Sequence, residues 1–245
     1  MNKLVTALTV IGLCTLPLIG HAAYKEITVS NGGTITGKVT LAGKDYAPKK
    51  YRVVKDDAVC GEGTREIDFV RVVNGSLQDV VVYLDKVKEG KAFPPEVGDG
   101  VATQEACYFK PFLGVMRSGA KLVSINKDPV LHNIHTYELL GRVKKTVFNI
   151  SQPDQNTISK TVKLKKGAAM KIECDAHDFM HAFSFVAKNP YFAVVKEDGS
   201  FTIDNVPPGE YTIKAWHGFL KDQKAKVKVE AGGSVTVDFA FKGRR

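Results

Sequence analysis

At residues 34–41 the chain reads TITGKVTL, in which Ile35, Val39 and Leu41 alternate with threonine and lysine. Successive side chains of a β-strand point to opposite sides of the sheet, so a period of two indicates a strand with one buried face. Helical periodicity is scarce in the rest of the chain, whereas the period of two returns many times. The sequence therefore predicts an all-β protein.

The other predicted strands show the same alternation or a run of valines, and turns containing Gly, Asp or Pro separate them. They span residues 79–84, 121–125, 161–164, 182–187, 192–195, 201–203, 211–216, 225–229 and 234–241. Many short strands joined by tight turns are typical of a β-sandwich. Residues 92–103, which are rich in Gly and Pro, are predicted to be a loop or linker.

The first residues predict a signal peptide. Lys3 precedes an uncharged apolar run at residues 4–19, and residues 20–22 include small side chains suited to a signal peptidase. Such a run is too short for a comfortable membrane span and fits an export signal. We therefore expect residues 1–22 to be removed, no membrane span in the remainder, and a periplasmic or extracellular location.

Lysine and arginine outnumber aspartate and glutamate, 35 to 26, which gives a formal net charge of +9. The lysines are densest at residues 160–171 and 221–228, where solvated strand faces are the simplest explanation. A positive charge could also steer the protein toward an acidic partner. Nucleic acid is not an expected partner, since the chain shows no recognition helix and no single-strand stacking module.

Of the four cysteines, Cys14 falls in the predicted signal peptide. In an oxidising compartment two of the remaining three should pair. Cys174 belongs to a metal-ligand pattern, which leaves Cys60 and Cys107 as the predicted disulfide. That bridge would close a loop of about 48 residues and stabilise the fold by about 4 kcal/mol. Pairing of Cys174 with either of the others would exclude a metal role for it, and this alternative stays open.

Residues 174–180 read CDAHDFM and place a thiol, an imidazole and a thioether at intervals of three. A blue-copper centre uses one cysteine, two histidines and a weak axial methionine. Cys174, His177 and Met180 would supply three of these ligands. His132, in the upstream stretch DPVLHNIH, is predicted to supply the second imidazole.

Each of these residues has an ordinary alternative role. Cys174 could be a buried free thiol and Met180 could fill a gap in the core, while a lone histidine in a β protein is more often structural. Their joint occurrence in this order favours the metal site. His135 lies three residues beyond His132, on the opposite face of a regular strand, and His181 directly follows Met180, so neither is expected to bind the same ion. His217 is expected to be structural.

Residues 106–187 resemble a cupredoxin. The stretch NKDP followed by HNIH, at residues 126–135, is similar to the strand end that carries the first copper ligand of that family and its following Asn. The Cys-x-x-His-x-x-Met spacing resembles the short ligand loop of amicyanin more than the longer loop of plastocyanin. The resemblance implies one type 1 copper ion on the four ligands named above. It also implies that Asn133 ties its strand to the cysteine loop by hydrogen bonds.

The ligand loop departs from the amicyanin pattern at the positions around the second histidine. Prolines that often stand there are replaced by Ala176 and Asp178. A nearby anionic side chain favours Cu(II) over Cu(I), so Asp178 predicts a lowered reduction potential. Phe179, Phe183 and Phe185 are expected in the core, with a collar around the copper as the alternative.

Residues 198–213, DGSFTIDNVPPGEYTI, resemble the hairpin of the carboxypeptidase regulatory-like, or transthyretin-like, β-sandwich. Residues 35–39 resemble the opening strand of that module. The combination is similar to bacterial proteins described as methylamine-utilisation or plastocyanin-like. It implies a cupredoxin-like Greek-key sandwich inserted in, or packed on, a transthyretin-like β-sandwich. The expected boundaries are 1–22 for the signal peptide, 23–92 and 188–245 for the N- and C-terminal parts of the transthyretin-like module, and 93–187 for the cupredoxin-like domain.

The expected function is that of an exported electron carrier, with a redox partner such as a c-type cytochrome or a dehydrogenase and with electrons passing through a solvent-facing edge of His177. No acid–base pair or nucleophile motif indicates an enzyme. The alternative is a non-catalytic envelope binding or structural module whose cupredoxin domain is vestigial or stores copper. A copper-handling protein would usually be rich in methionine, and only Met116, Met170 and Met180 follow the signal segment.

Overall fold

The computed structural model describes residues 24–141 and 143–244, so the predicted signal peptide lies outside the described residues. The described chain is built almost entirely of β-strands, with one short helix, α1 (Asp57–Cys60). The expectation of an all-β sandwich is therefore confirmed. Within the described ranges, no helix has the length and apolar character needed to cross a membrane.

The N-terminal strands are short apart from the second and the seventh. In chain order they are β1 (Lys25–Glu26), β2 (Gly33–Ala42), β3 (Lys49–Arg52), β4 (Thr64–Ile67), β5 (Val72–Val73), β6 (Ser76–Leu77), β7 (Val80–Asp85) and β8 (Glu89–Gly90). Along β2 the residues at Ile35, Gly37 and Val39 are buried, as the alternation predicts. Gly37 is required there, because a Cβ atom would lie 1.9 Å from the carbonyl oxygen of Val237.

The middle of the chain forms a sandwich of two sheets. Its strands are β9 (Gly100–Glu105), β10 (Tyr108–Lys110), β11 (Leu113–Arg117), β12 (Lys121–Asn126), β13 (His132–Leu140), β14 (Val143–Gln152), β15 (Asn156–Thr161), β16 (Ala169–Glu173) and β17 (His181–Ala187). One sheet has the order β10-β9-β12-β15, and the other has the order β11-β17-β16-β13-β14. This second sheet carries the predicted ligands.

The C-terminal strands pair with the N-terminal ones. They are β18 (Phe192–Val194), β19 (Ser200–Val206), β20 (Gly209–His217), β21 (Gln223–Val229), β22 (Ser234–Thr236) and β23 (Phe239–Lys242). One sheet has the order β18-β7-β20-β21, and β2 pairs with β19, β22, β23 and β6 in another. Strands from the two ends of the chain thus share sheets, and β9 to β17 lie between them in sequence.

Aromatic side chains join the ligand-bearing sheet to the sheet that contains β7 and β20. Phe183 and Phe185 of β17 contact Trp216, with ring centroids 6.1 and 6.4 Å apart. Phe185 also contacts Tyr83 at 5.0 Å. Both phenylalanines are buried, as expected for core residues. Their contacts lie with the neighbouring sheet.

The structure corrects two strand predictions and one loop prediction. The predicted strand at 161–164 is instead the end of β15, which stops at Thr161. The predicted strand at 234–241 is two strands, because residues 237 and 238 interrupt the ladder. The predicted loop at 92–103 ends earlier, since β9 begins at Gly100 and pairs in parallel with β12. Pro and Gly in residues 94–98 are typical of a loop, and the loop prediction was therefore extended too far, into the first residues of β9.

Candidate metal centre

Two neighbouring strands bring the predicted ligands to one end of the same sheet. His132 is the first residue of β13, and Cys174 directly follows β16. The two strands are antiparallel partners, so the start of one lies beside the end of the other. His177 and Met180 lie in the short connection between β16 and β17.

Three of the four predicted ligands face a common point. The Nδ1 atoms of His132 and His177 lie 3.1 Å apart. The Sγ atom of Cys174 lies 4.0 Å from the first and 3.8 Å from the second. All three residues are at most 3% exposed. A metal ion bound at roughly 2.0 Å from nitrogen and 2.3 Å from sulfur separates such ligands by about 3–4 Å, so one ion can bind all three atoms.

Two carboxylates fix which nitrogen of each imidazole carries the hydrogen. The Nε2 atom of His132 lies 2.9 Å from Oδ2 of Asp128, and Nε2 of His177 lies 2.9 Å from Oδ2 of Asp56. A carboxylate only accepts hydrogen bonds, so each Nε2 donates, and in a neutral imidazole the Nδ1 atom then keeps its lone pair. Two such lone pairs facing each other at 3.1 Å repel unless a metal cation or a shared proton lies between them. The donor set therefore fits a soft metal ion such as copper.

Burial disfavours charge on the ligands in the metal-free protein. It raises the pKa of the Cys174 thiol, against the effect of the hydrogen bond from the Asn133 N–H. Burial also lowers the pKa of His177, although the hydrogen bond to Asp56 opposes the shift. A bound metal cation reverses the effect of burial on Cys174, because coordination deprotonates a thiol.

Asp128 is held ionised behind His132. Burial acts to raise the pKa of its carboxyl, but hydrogen bonds from the Cys107 N–H and from His132 outweigh burial, and the pKa lies below its usual value. Its two oxygens accept the backbone N–H groups of Ala106 and Cys107 at 2.7 and 2.8 Å. A carboxylate in this position orients the imidazole and makes it a more basic ligand.

Met180 closes the ligand loop. Its backbone N–H donates to the carbonyl of His177 at 3.1 Å, and its carbonyl accepts from the N–H of Cys174 at 3.4 Å. The residue is 1% exposed and lies in the core. Its role as a weak axial ligand stays a prediction.

Asn133 ties β13 to the cysteine loop through both ends of its amide. Its Oδ1 accepts the backbone N–H groups of Asp175 at 2.5 Å and Ala176 at 3.3 Å. Its Nδ2 donates to the Asp175 carboxylate at 3.0 Å and to Asn149 Oδ1 at 2.6 Å. Its backbone N–H lies 3.5 Å from the Cys174 sulfur. These contacts are those that the resemblance implied for this residue.

Asn133→Ala is expected to loosen the loop, because two backbone N–H groups lose their acceptor. Urea denaturation should show the free energy of unfolding lowered by about 1–3 kcal/mol. Competition with a copper chelator should show affinity weakened about 10–100-fold. Ser151→Ala is the matched control, since Ser151 is exposed and lies opposite Asn133 on β14. Equal losses in the two variants would contradict the role given to Asn133.

The remaining predicted and discussed histidines lie outside the cluster. His135 points to the other face of β13, where its Nδ1 lies 3.0 Å from the Asp175 carboxylate. His181 Nε2 lies 3.1 Å from the Tyr51 hydroxyl, and burial lowers the pKa of its imidazole to about 4. His217 is buried, and its Nδ1 accepts the N–H groups of the second and third residues after it at 3.1 Å.

The outer edge of His177 does not face solvent, so the solvent-facing edge expected for this residue is wrong, whereas the electron route itself stays a prediction. The His177 side chain is 0% exposed because Asp56, itself 35% exposed, covers its Nε2. Phe179 packs beside the same ring with centroids 5.5 Å apart. Asp178, the anionic residue expected near the metal, is exposed, whereas Asp56 contacts a ligand directly.

Sequence reasoning missed Asp56 and gave no role to Asp128. Asp128 lies four residues before His132 in the motif itself, and that spacing was an available signal. Asp56 lies 121 residues from His177 in the chain, and no local pattern identifies it. Cys107, Asp128 and His132 also come close together. Cys107 supplies no thiolate there, because it forms the predicted disulfide with Cys60.

Comparison with known proteins gives partial likenesses. A family model described as polysaccharide lyase family 4, domain II, matches residues 165–237. No curated protein matches the chain. A purple cupredoxin from Nitrosopumilus maritimus is 16% identical over 37% of this chain and 99% of its own, with a TM-score of 0.30. Amicyanin from Paracoccus versutus is 13% identical over 45% of this chain and 99% of its own, with a TM-score of 0.31.

The likeness to these two solved structures thus covers less than half of this chain. Likenesses this weak do not by themselves establish a shared fold or a function. The matched family model spans β16 and β17 of the ligand-bearing sheet and the C-terminal strands β18 to β22. The transthyretin-like resemblance stays a prediction, because the matched model is a different one.

Proposed function

We propose that the protein is an exported type 1 copper protein that carries single electrons between redox partners. The observation that supports it is the buried cluster of Cys174 Sγ with the Nδ1 atoms of His132 and His177. One thiolate, two imidazoles and a weak axial thioether form the ligand set of blue-copper centres. We assign Met180 as the axial ligand.

Each residue of the proposed centre has a separate task. Cys174 supplies the thiolate, and its burial protects the sulfur from oxidants. Asp128 and Asp56 hold the hydrogens on Nε2 of the two imidazoles, which leaves both Nδ1 atoms ready to bind. When bound, copper supplies one-electron exchange between its Cu(II) and Cu(I) states.

A carrier is favoured over an enzyme by the burial of the ligands. Side chains that are at most 3% exposed leave a substrate no access to the ion. The partner in this proposal is another exported redox protein, such as a c-type cytochrome or a dehydrogenase. A net charge of +9 suits an acidic partner surface.

The strand pairing favours two modules in this proposal. The cupredoxin-like domain comprises residues 93–187 and interrupts a second sandwich made from residues 23–92 and 188–245. This arrangement is supported by the pairing of β2 with β19 and of β7 with β20, which joins the two ends of the chain. We assign the second module to the transthyretin-like class on its hairpin sequence alone.

The test is a copper titration of the purified chain without its signal peptide. One equivalent of Cu(II) should produce an intense visible thiolate-to-copper band that ascorbate removes and ferricyanide restores. Zinc should bind at the same stoichiometry without colour. Copper binding without the band, or no binding, would contradict the proposal.

Copper storage is the second candidate, and the covered edge of His177 favours it. Asp56 lies where a bare imidazole edge would offer a partner direct contact. The two candidates share the visible band and differ in exchange rate. Reduced carrier should pass its electron to an acidic c-type cytochrome as fast as the two proteins associate, about 10⁵ M⁻¹ s⁻¹ or more. A copper-loaded protein that takes hours to react would be a store.

A further inference from the structure

A segment from outside the ligand-bearing sandwich covers the metal centre. It comprises β3, α1 and β4 with their connections, residues 49–67, and we call it the cap. β3 and β4 form an antiparallel hairpin in which Tyr51 lies opposite Arg65. Residues directly opposite in such a pair share one face of the hairpin. That face is turned toward the ligand loop.

The two strands of the cap each contact the ligand loop. The Tyr51 hydroxyl lies 3.1 Å from Nε2 of His181, immediately after the loop. The Arg65 guanidinium lies over the ring of Phe179, 4.7 Å from its centroid. Arg65 also donates to the carbonyl oxygen of Cys107 at 2.6 Å. The cap is therefore held through one residue on each strand of its hairpin.

A disulfide links the cap covalently to the ligand-bearing sandwich. Cys60, the last residue of α1, is bonded to Cys107. Cys107 donates its N–H to Asp128, which orients His132. Cys60 donates its N–H to the carbonyl of Asp56 at 2.8 Å. The bridge thus joins two residues that each hydrogen-bond to one of the aspartates: Cys107 to the Asp128 carboxylate and Cys60 to the Asp56 backbone carbonyl.

Asp56 has a conformation that directs its side chain at the metal centre. It is the residue directly before α1, a position where an aspartate side chain ordinarily caps the helix. Here it makes no side-chain cap hydrogen bond. Its backbone is left-handed, with φ 54° and ψ 31°, a region that Asp and Asn tolerate better than other residues with a Cβ. The carboxylate instead meets Nε2 of His177.

We propose that the cap is a closed, tethered cover of the metal centre and that Asp56 is a positioning residue for His177. The inference rests on the proposed function for its copper readout. Asp56 holds Nδ1 of the ring toward the ion and keeps solvent from becoming a ligand. Its negative charge stabilises Cu(II) more than Cu(I), so it lowers the reduction potential. In this proposal Asp56, more than Asp178, lowers the reduction potential of the centre.

Asp56→Asn tests the positioning role with little change of shape, since Asn also tolerates the left-handed backbone and keeps an acceptor oxygen. Loss of the charge should lower Cu(II) affinity by about tenfold relative to Cu(I), which raises the potential by about 59 mV. The visible band should persist at a shifted wavelength. Asp57→Asn is the matched control, because the Asp57 carboxylate accepts only the N–H of Ala58 among the described contacts. Asp178→Asn should shift the potential less than Asp56→Asn.

A second readout needs no copper. In the metal-free protein Cys174 is 3% exposed, and in this proposal opening of the cap makes it accessible to iodoacetamide. A neutral acceptor binds Nε2–H less strongly than a carboxylate, and we expect Asp56→Asn to be alkylated about fivefold faster than Asp57→Asn. Thermal melts confirm that both variants are folded.

The outcomes separate this inference from the proposed function. A wild-type protein without a copper band contradicts the proposed function. The alkylation rates of the metal-free variants then still test whether Asp56 holds the cap closed. A wild-type protein with the band, combined with a potential and an alkylation rate that are equal in Asp56→Asn and Asp57→Asn, overturns the positioning role alone.

Discussion

Cys174→Ala is expected to abolish the visible absorption of the copper-loaded protein. The intense band requires charge transfer from a thiolate, and Cys174 is the free cysteine of the described chain. Imidazole ligands alone give only weak colour with Cu(II). The substitution removes one buried sulfur atom at a cost of about 1 kcal/mol, so the fold should persist. Absorption spectroscopy at one equivalent of Cu(II), with a thermal melt of the same sample, measures both effects.

His135→Ala is the control for this loss of colour. His135 lies three residues from His132 on β13, but its ring stacks on Tyr137 and its Nδ1 faces Asp175. The variant should keep the band at unchanged intensity. Retention of the band by Cys174→Ala would contradict the assignment of Cys174 as the thiolate ligand of the proposed centre. Loss of the band in His135→Ala would mean that a different set of imidazoles binds the ion.

The local parts of the centre were predictable from sequence because spacing alone determines them. Cys174, His177 and Met180 recur at intervals of three residues, and the turn between β16 and β17 brings the first two side chains together. The pairing of β13 with β16 then places His132 beside the loop. The role of Asn133 was implied by the resemblance instead, and its amide does contact the ligand loop.

The cover of the centre was not predictable, because it depends on contacts between distant parts of the chain. Asp56 sits in a segment without ligand spacing, and a charged residue before a four-residue helix is an ordinary surface residue. Only the tertiary fold brings it to His177. The solvent-facing edge expected for His177 as part of an electron carrier was wrong, because Asp56 meets Nε2 of the buried ring.

Strand prediction failed where side chains are buried although the backbone is not part of a regular strand ladder. Residues 161–164 alternate like a strand, and Val162 and Leu164 are buried. The regular ladder ends at Thr161 nevertheless, because β12 begins at Lys121 opposite it, although Val162 still hydrogen-bonds to Gly119 and Ala120. Alternation reports which side chains are buried, and hydrogen bonding to a partner depends on the length of the neighbouring strand.

Removal of the disulfide is expected to have the largest effect on stability. Cys60→Ala with Cys107→Ala opens a bridge between residues 47 apart in sequence. The chain-entropy relation predicts that the free energy of unfolding falls by about 4 kcal/mol. Urea denaturation of the metal-free proteins measures this loss. Trp216 is a suitable fluorescent probe, since it is the single tryptophan and contacts Phe183 of the ligand-bearing sheet.

The same double variant tests whether the bridge holds the cap in place. Wild type and variant each present Cys174 as the free thiol of the described chain, so their iodoacetamide rates compare directly. Without the bridge, the cap keeps only its noncovalent contacts, among them those of Asp56, Tyr51 and Arg65, and alkylation should accelerate more than in Asp56→Asn. A loss of stability below about 1 kcal/mol would contradict the entropic estimate. An unchanged alkylation rate at full loss of stability would show that the noncovalent contacts suffice to close the cap.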